Sequence, residues 1–224
     1  MIAAVLYDLD GLMVDSEPFH LMASQEALKK YGHRLEDLPL ELRKSFFGKK
    51  VVEVAGEVLD CLNLPLAPEQ WAGERLEIFM RLIETGVSLM PGVERSLTFF
   101  DSKGMKKAVV SSGDRPYVER LLEITGVNSA FDAVITGDDV TLGKPDPQCF
   151  LIGARALGVS PSSALVLEDA YAGICAARAA GMKVIGIENK YNDNFTGADL
   201  VLASLAEIDD RVLNLLSDHG KSGG

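Results

Sequence analysis

This 224-residue chain predicts an α/β fold, a doubly wound parallel sheet interrupted by one all-α insertion of four helices. Three observations carry that expectation. The opening residues Met1 to Tyr7 are all apolar or aromatic with no alternation, as in a strand buried on both faces, although period alone does not exclude a buried helix. Residues 18–86 then change to helical spacing with no convincing strand among them. After Pro91-Gly92, short apolar runs alternate with amphipathic stretches, and right-handed crossovers turn such alternation into a parallel sheet.

In chain order, Pro18 suits a first helical turn, and Phe19, Met22, Ala23, Ala27 and Leu28 share one face before Gly32. A second helix is expected over 40–47, ending at Gly48. A third covers 50–62, with Val51, Val54, Ala55, Val58, Leu59 and Leu62 in phase, and a fourth starts at Pro68 and carries Trp71, Leu76, Phe79, Met80 and Ile83. The two connections of this insertion, 12–17 and 88–92, are expected to lie side by side as a hinge. The remaining helices are expected over 93–103, 116–125, 148–157, 171–180 and 206–216, and the strands over 106–110, 133–136, 164–167, 183–187 and 200–202. The division that follows is a Rossmann-like core of residues 1–15 and 89–220, a helical insertion of residues 16–88, and a flexible tail, 221–224.

Composition narrows the function classes. Hydrophobic residues make up 47% of the chain, enough for a sizeable core and too many for wholesale disorder. A net charge of -11 argues against nucleic acid or an anionic membrane as partner. The cysteines Cys61, Cys149 and Cys175 are widely spaced among apolar neighbours and read as buried free thiols in a reducing cytoplasm. The apolar start has no basic segment before it and stops at Tyr7, unlike a signal peptide or a spanning helix.

The chemistry gathers at strand ends. Asp8 and Asp10 follow the first strand, Ser111 and Ser112 the second, and Glu168 and Asp169 a later one, while Lys144 sits in a Gly-Lys-Pro loop. Each has an ordinary reading by itself: aspartates and serines make turns, a lysine decorates a surface, an acidic pair caps the next helix. His20 reads as a helix residue facing the hinge, with no catalytic role, and Lys49 and Lys50 as solvated. If the three strands are neighbours, however, Asp8, Glu168 and Asp169 repel one another unless a cation intervenes. An all-oxygen set suits Mg²⁺, and the absence of histidine and cysteine at these ends argues against zinc. A hydroxyl and an ammonium are what a phosphoryl group would then require.

The segments Asp8-Leu-Asp-Gly-Leu-Met-Val-Asp15-Ser16, Val-Val-Ser111-Ser-Gly, Gly-Lys144-Pro-Asp-Pro and Leu-Glu168-Asp169-Ala-Tyr-Ala-Gly173 resemble the four ordered motifs of the haloacid dehalogenase superfamily. The likeness is greatest to its β-phosphoglucomutase-like and phosphatase branch, whose cap domain occupies the place of the helical insertion. The resemblance implies a phosphatase acting on a small phosphorylated metabolite, a sugar phosphate above all. Asp8 would be the nucleophile that forms an aspartyl-phosphate, and Asp10 the general acid and then base, with a raised pKa. The Asp8 carboxylate, the Asp10 carbonyl and the Asp169 carboxylate would hold Mg²⁺, with Glu168 supporting that shell. Ser111, Ser112 and Lys144 would bind phosphoryl oxygens.

Other classes fit less well. A dehalogenase needs neither a second acid two residues on nor a metal. A phospho-accepting receiver needs no helical insertion and has no use for Asp10. A silent binding protein has no reason to keep a complete motif set. A phosphosugar mutase of the same branch carries an arginine three residues after the cap glycine. Here that position, counted from Gly48, is Val51, which leaves Arg115 as a stand-in. The expectation is a cytoplasmic, monomeric phosphatase, with the β-phosphoglucomutase type as alternative.

Overall fold

The computed structural model describes residues 2–44, 51–190 and 192–218. The helical insertion contains α1 (Glu17–Lys29), α2 (Leu40–Lys44), α3 (Val51–Cys61) and α4 (Pro68–Ile83). Helix α1 packs on α4, and α3 on the same helix. Their apolar stripes meet there: Ala23, Ala27 and Leu28, then Val54 and Val58, then Trp71, Phe79 and Ile83, all buried. Pro68 opens α4 at the first helical position, where its missing N–H costs nothing. The chain enters and leaves this region along two adjacent extended segments. Asp15 N donates to Ser88 O at 3.0 Å and Met90 N to Met13 O at 2.8 Å, flanking an antiparallel bridge between Val14 and Leu89.

Six strands form one Rossmann-like sheet: β1 (Ala4–Tyr7), β2 (Lys106–Val110), β3 (Ala133–Ile135), β4 (Ala164–Glu168), β5 (Lys183–Ile187) and β6 (Leu200–Leu202). All pairs are parallel, in the order β3-β2-β1-β4-β5-β6. Chain order runs outward from β1 to β3 on one side and from β4 to β6 on the other. The carboxyl ends of β1 and β4 therefore flank the switch point at which open sheets leave a crevice.

Both faces of the sheet are covered, which explains why β1 reads as an unbroken apolar run. Val5, Tyr7, Val109 and Leu165 belong to one layer, and Ala4, Leu6, Ala108, Val110 and Val166 to the other. The first layer is closed by α5 (Val93–Ser102), α6 (Arg115–Ile124) and, among the described residues, α9 (Asp210–Asp218); the second by α7 (Gln148–Leu157) and α8 (Tyr171–Ala179).

Two expectations change. The closing helix is two elements, a 3₁₀ turn at Leu205–Glu207 and α9, because the Asp209 carboxylate accepts from Arg211 N and Val212 N and starts a new helix there. Cys61 is exposed and Cys175 partly so, since each lies at the edge of its helix's apolar stripe; Cys149 is buried. Residues 45–47 of the second expected helix, together with Gly48, Lys49, Lys50 and the tail 221–224, lie outside the described residues. Among the described residues no helix is long and apolar enough to cross a membrane.

Candidate active site

Where β1 ends, Asp8 still belongs to the sheet, its N–H donating to Leu167 O of β4 at 3.1 Å. Glu168 closes β4 and Asp169 follows it, so three carboxylates meet at the switch point with ligand oxygens within 4.8 Å of one another. Lys144 reaches into them from its loop. Its Nζ lies 2.5 Å from Asp8 Oδ1, 2.6 Å from Glu168 Oε1 and 3.2 Å from Val110 O, with the side chain 4% exposed. Burial works against this ammonium, but the two carboxylates prevail and raise its pKa.

One lysine does not neutralise three buried acids. Burial, with the charges of Glu168 and Asp10, pushes Asp8 up to about 8 against the pull of Lys144. Burial and the charges of Asp8 and Glu168 raise Asp169 well above the usual carboxylate range. A hard divalent cation taking oxygen ligands fits this donor set and would relieve the repulsion. The backbone is shaped around the same acids. Gly11 has φ +79°, and a Cβ there would lie 2.4 Å from Asp169 Oδ2. A Cβ on Gly173 would come within 1.6 Å of Glu168 Oε1, so α8 can begin beneath that carboxylate only with glycine at this position.

Glu168 has its oxygens engaged by protein: beside Lys144, its Oε2 accepts from Asp169 N at 3.0 Å and Ala170 N at 2.9 Å. Asp169 is held from the loop after β5, where Asn189 Nδ2 donates to its Oδ2 at 2.5 Å and Asn192 Nδ2 to its carbonyl at 2.7 Å.

Asp10 turns its carboxylate away from that cluster. Ser16 Oγ donates to its Oδ1 at 2.6 Å, the Tyr117 hydroxyl donates to the same oxygen, and Ser111 Oγ lies 3.4 Å from Oδ2. His20 Nε2 stands 3.5 Å from Oδ1 and 3.1 Å from Tyr117 Oη. An Arg75 NH2 lies 3.1 Å from His20 Nδ1; a guanidinium only donates, so Nδ1 accepts and Nε2 carries the hydrogen toward Asp10. Burial would raise the Asp10 pKa, but these donors outweigh it and hold the carboxyl below its ordinary value. The raised pKa expected from sequence is therefore corrected for this arrangement, since the hydrogen bond and charge of His20, with the hydrogen bonds of Ser16 and Tyr117, outweigh burial. His20, given no catalytic role from sequence, stacks on Phe79 with ring centroids 4.3 Å apart and places Nε2 3.5 Å from Asp10 Oδ1.

Residues 5–187 match the haloacid dehalogenase-like hydrolases. The chain belongs to that family. This hydrolase is 31% identical over 185 residues to the fructose-1-phosphate phosphatase YqaB of Escherichia coli (strain K12), covering 83% of this chain and 96% of that one. It is 31% identical over 223 residues to the validoxylamine A 7'-phosphate phosphatase of Streptomyces hygroscopicus subsp. limoneus, covering 93% and 96%. The crystal structure of β-phosphoglucomutase from Clostridium difficile matches it with a TM-score of 0.86 at 25% identity, covering 98% of this chain and 99% of that one.

In this hydrolase a cavity of about 350 Å³ lies between the strand ends and the helical insertion. Its floor is Asp8, Asp10, Lys144 and Asp169, with Ser112 on the rim; Ser111 lies beneath, its hydroxyl accepting from Gly113 N at 3.0 Å. Val51 lines the wall, while Arg115 points elsewhere, bound to Asp139 at 2.6 Å and Glu119 at 3.4 Å. Sequence reasoning missed Tyr117 and Arg75, which look like ordinary positions of α6 and α4, and His20 and Glu17 on α1. Only Glu17, next to Asp15-Ser16 in the first motif, carried a signal.

Glu17 is 8% exposed, lines the cavity, and makes no hydrogen bond or ion pair among the described residues. Burial first, then the charge of Asp10, pushes its pKa up to about 8, with Arg75 opposing. An unfolded glutamate loses its proton near about 4.3, so between these values folding takes up a proton and stability falls as pH rises. Glu17→Gln removes that dependence. Thermal melts should show the variant gaining on the parent as the buffer goes from about pH 5 to about pH 8; parallel curves would refute it.

Proposed function

We propose that this phosphoric monoester hydrolase is a Mg²⁺-dependent phosphatase of small sugar or polyol phosphates, working through an aspartyl-phosphate on Asp8. The observation that carries the reading is the placement of Asp8 against Lys144 at the switch point, with Asp10 two residues on and held by its own set of donors. In the first step an Asp8 carboxylate oxygen bonds to phosphorus and the ester oxygen leaves, taking a proton from Asp10. In the second a water gives its proton to Asp10 and bonds to phosphorus; the acyl phosphate breaks, freeing phosphate and restoring Asp8.

The hydrogen bonds to Asp10 suit the base of the second step. For the first, the negative phosphoryl group arriving beside Asp10 favours its protonated form. Lys144, Ser111 and Ser112 receive phosphoryl oxygens, and the Ser111 hydroxyl also holds the turn by accepting from Gly113 N. The carboxylates of Asp8 and Asp169 and the carbonyl of Asp10 would hold Mg²⁺, which when bound supplies positive charge to the phosphoryl oxygens. Residues 16–88 act as a cap over residues 1–15 and 89–220, hinged at the paired segments beside Val14 and Leu89.

The likeness to a β-phosphoglucomutase supports a mutase as second reading. A mutase has to anchor a second phosphate. Here Val51 is apolar wall and Arg115 is engaged outside the cavity, which favours the phosphatase. The fructose-1-phosphate and validoxylamine A 7'-phosphate phosphatases support the same choice.

A phosphorus NMR time course decides. β-Glucose 1-phosphate and other sugar phosphates should yield free phosphate with no bisphosphate activator, and EDTA should stop release until Mg²⁺ is restored. Conversion of β-glucose 1-phosphate to glucose 6-phosphate with little free phosphate would sink the phosphatase reading, and turnover in thorough chelation would sink its metal.

A further inference from the structure

The mechanism above leaves one pocket group unused. Glu17 is the second residue of the Ser16-Glu17-Pro18 start of α1, and only a small part of it is reached by solvent, through the cavity. A buried carboxyl without a hydrogen bond costs stability, and Glu17 makes none among the described residues; the Arg75 guanidinium of α4 attracts its charge without an ion pair. Its electrostatic neighbours are Asp10, Arg75, Asp8 and Asp15, and the first of these is the proposed acid for the ester oxygen, so Glu17 stands near where the leaving group would begin.

The charge around it limits what it can meet. Beyond the floor the described lining carries the acids Glu17, Glu69 and Asp114 and the cation Arg75. That guanidinium is already engaged with Ser24 Oγ at 2.7 Å and with His20. A second anionic group beside Glu17 would face that carboxylate together with the nearby charges of Asp10 and Asp8. A neutral hydroxyl suits the place, because it can donate to a carboxylate or accept from a protonated carboxyl. The upward pull on the Glu17 proton agrees with a neutral partner.

We propose that Glu17 is a specificity-determining residue that takes the hydroxyl on the carbon next to the phosphorylated one, so that the preferred substrate is a monophosphate of a neutral polyol or sugar. This rests on the phosphatase reading and adds to it the part of the leaving group that is read. A site built to hydrogen-bond a substrate hydroxyl discriminates strongly against the analogue that lacks it, because the buried group is then left unpaired.

The experiment compares kcat/KM for glucitol 6-phosphate and 5-deoxyglucitol 6-phosphate, with Mg²⁺ present, in the parent, Glu17→Leu and Glu17→Gln. The parent should prefer the hydroxylated ester. That preference should fall about 10- to 100-fold in Glu17→Leu and by a smaller factor in Glu17→Gln, whose amide still accepts a hydrogen bond. If Glu17→Leu fails to melt as a folded protein, Glu17→Gln decides: a reduced preference supports the assignment and an unchanged one overturns it. A parent that releases phosphate from both esters equally overturns Glu17 as the reader and leaves the phosphatase standing. A parent that hydrolyses neither these nor any other sugar phosphate overturns both.

Discussion

Asp8→Asn should lose turnover by on the order of 10³-fold or more while remaining folded, because the proposed mechanism makes and breaks a covalent bond at that carboxylate and an amide oxygen cannot replace it. The structure also says what the substitution does to the fold. Burial, then Glu168 and Asp10, raise the pKa of Asp8 and Lys144 lowers it, so an uncharged side chain loses one ion pair and escapes the burial cost of a charge and its repulsions with Glu168, Asp10 and Asp169. These oppose one another, and the melting temperature should change little. Phosphate release and a thermal melt on the same preparation check the two halves together. A folded variant that retains more than a tenth of the parent turnover would falsify the assignment of Asp8.

Lys144→Met should act on stability and catalysis at once. The lysine is 4% exposed and bridges Asp8 and Glu168, the latter only 1% exposed. Methionine fills a similar volume but leaves the carboxylates of Asp8, Glu168 and Asp169 facing one another without their ammonium. Removing one partner from a buried ion pair typically costs about 3–5 kcal/mol, whereas an exposed pair costs little. Urea denaturation in EDTA should show a loss of that size. Turnover with Mg²⁺ present should also collapse, since an ammonium meant for the phosphoryl oxygens is gone. Stability within about 0.5 kcal/mol of the parent, the range of ordinary surface substitutions, would show that Lys144 is solvated in solution.

The sheet was largely legible because its signals are local. An unbroken apolar run such as Ala4–Tyr7 needs two covered faces, and the glycines after residues 103, 125 and 157 stop helices wherever they fall. The closing helix was misplaced because Asp209 competes with the apolar periodicity as a cap, and a period count does not weigh a single side-chain hydrogen bond. The burial of Cys61 and Cys175 was misread similarly. Apolar neighbours in sequence do not say which side of a helix a thiol faces, and Cys61 faces out.

By itself the sequence determined the α/β order and the helical insertion and set Asp8, Glu168 and Asp169 at strand ends; their gathering with Lys144 was conditional on those strands being neighbours, which the sheet order decides. Strand ends are fixed by residue pattern, and the parallel order brings β2, β1 and β4 together. Only the tertiary structure decided the surroundings of Asp10. Tyr117 lies 107 residues away on α6, and Arg75 reaches His20 from α4 across 55 residues. Neither position differs in local pattern from a core or surface residue of its helix. What makes them part of the site is how α1, α4 and α6 meet over the strand ends, a product of packing between elements that no window of sequence contains.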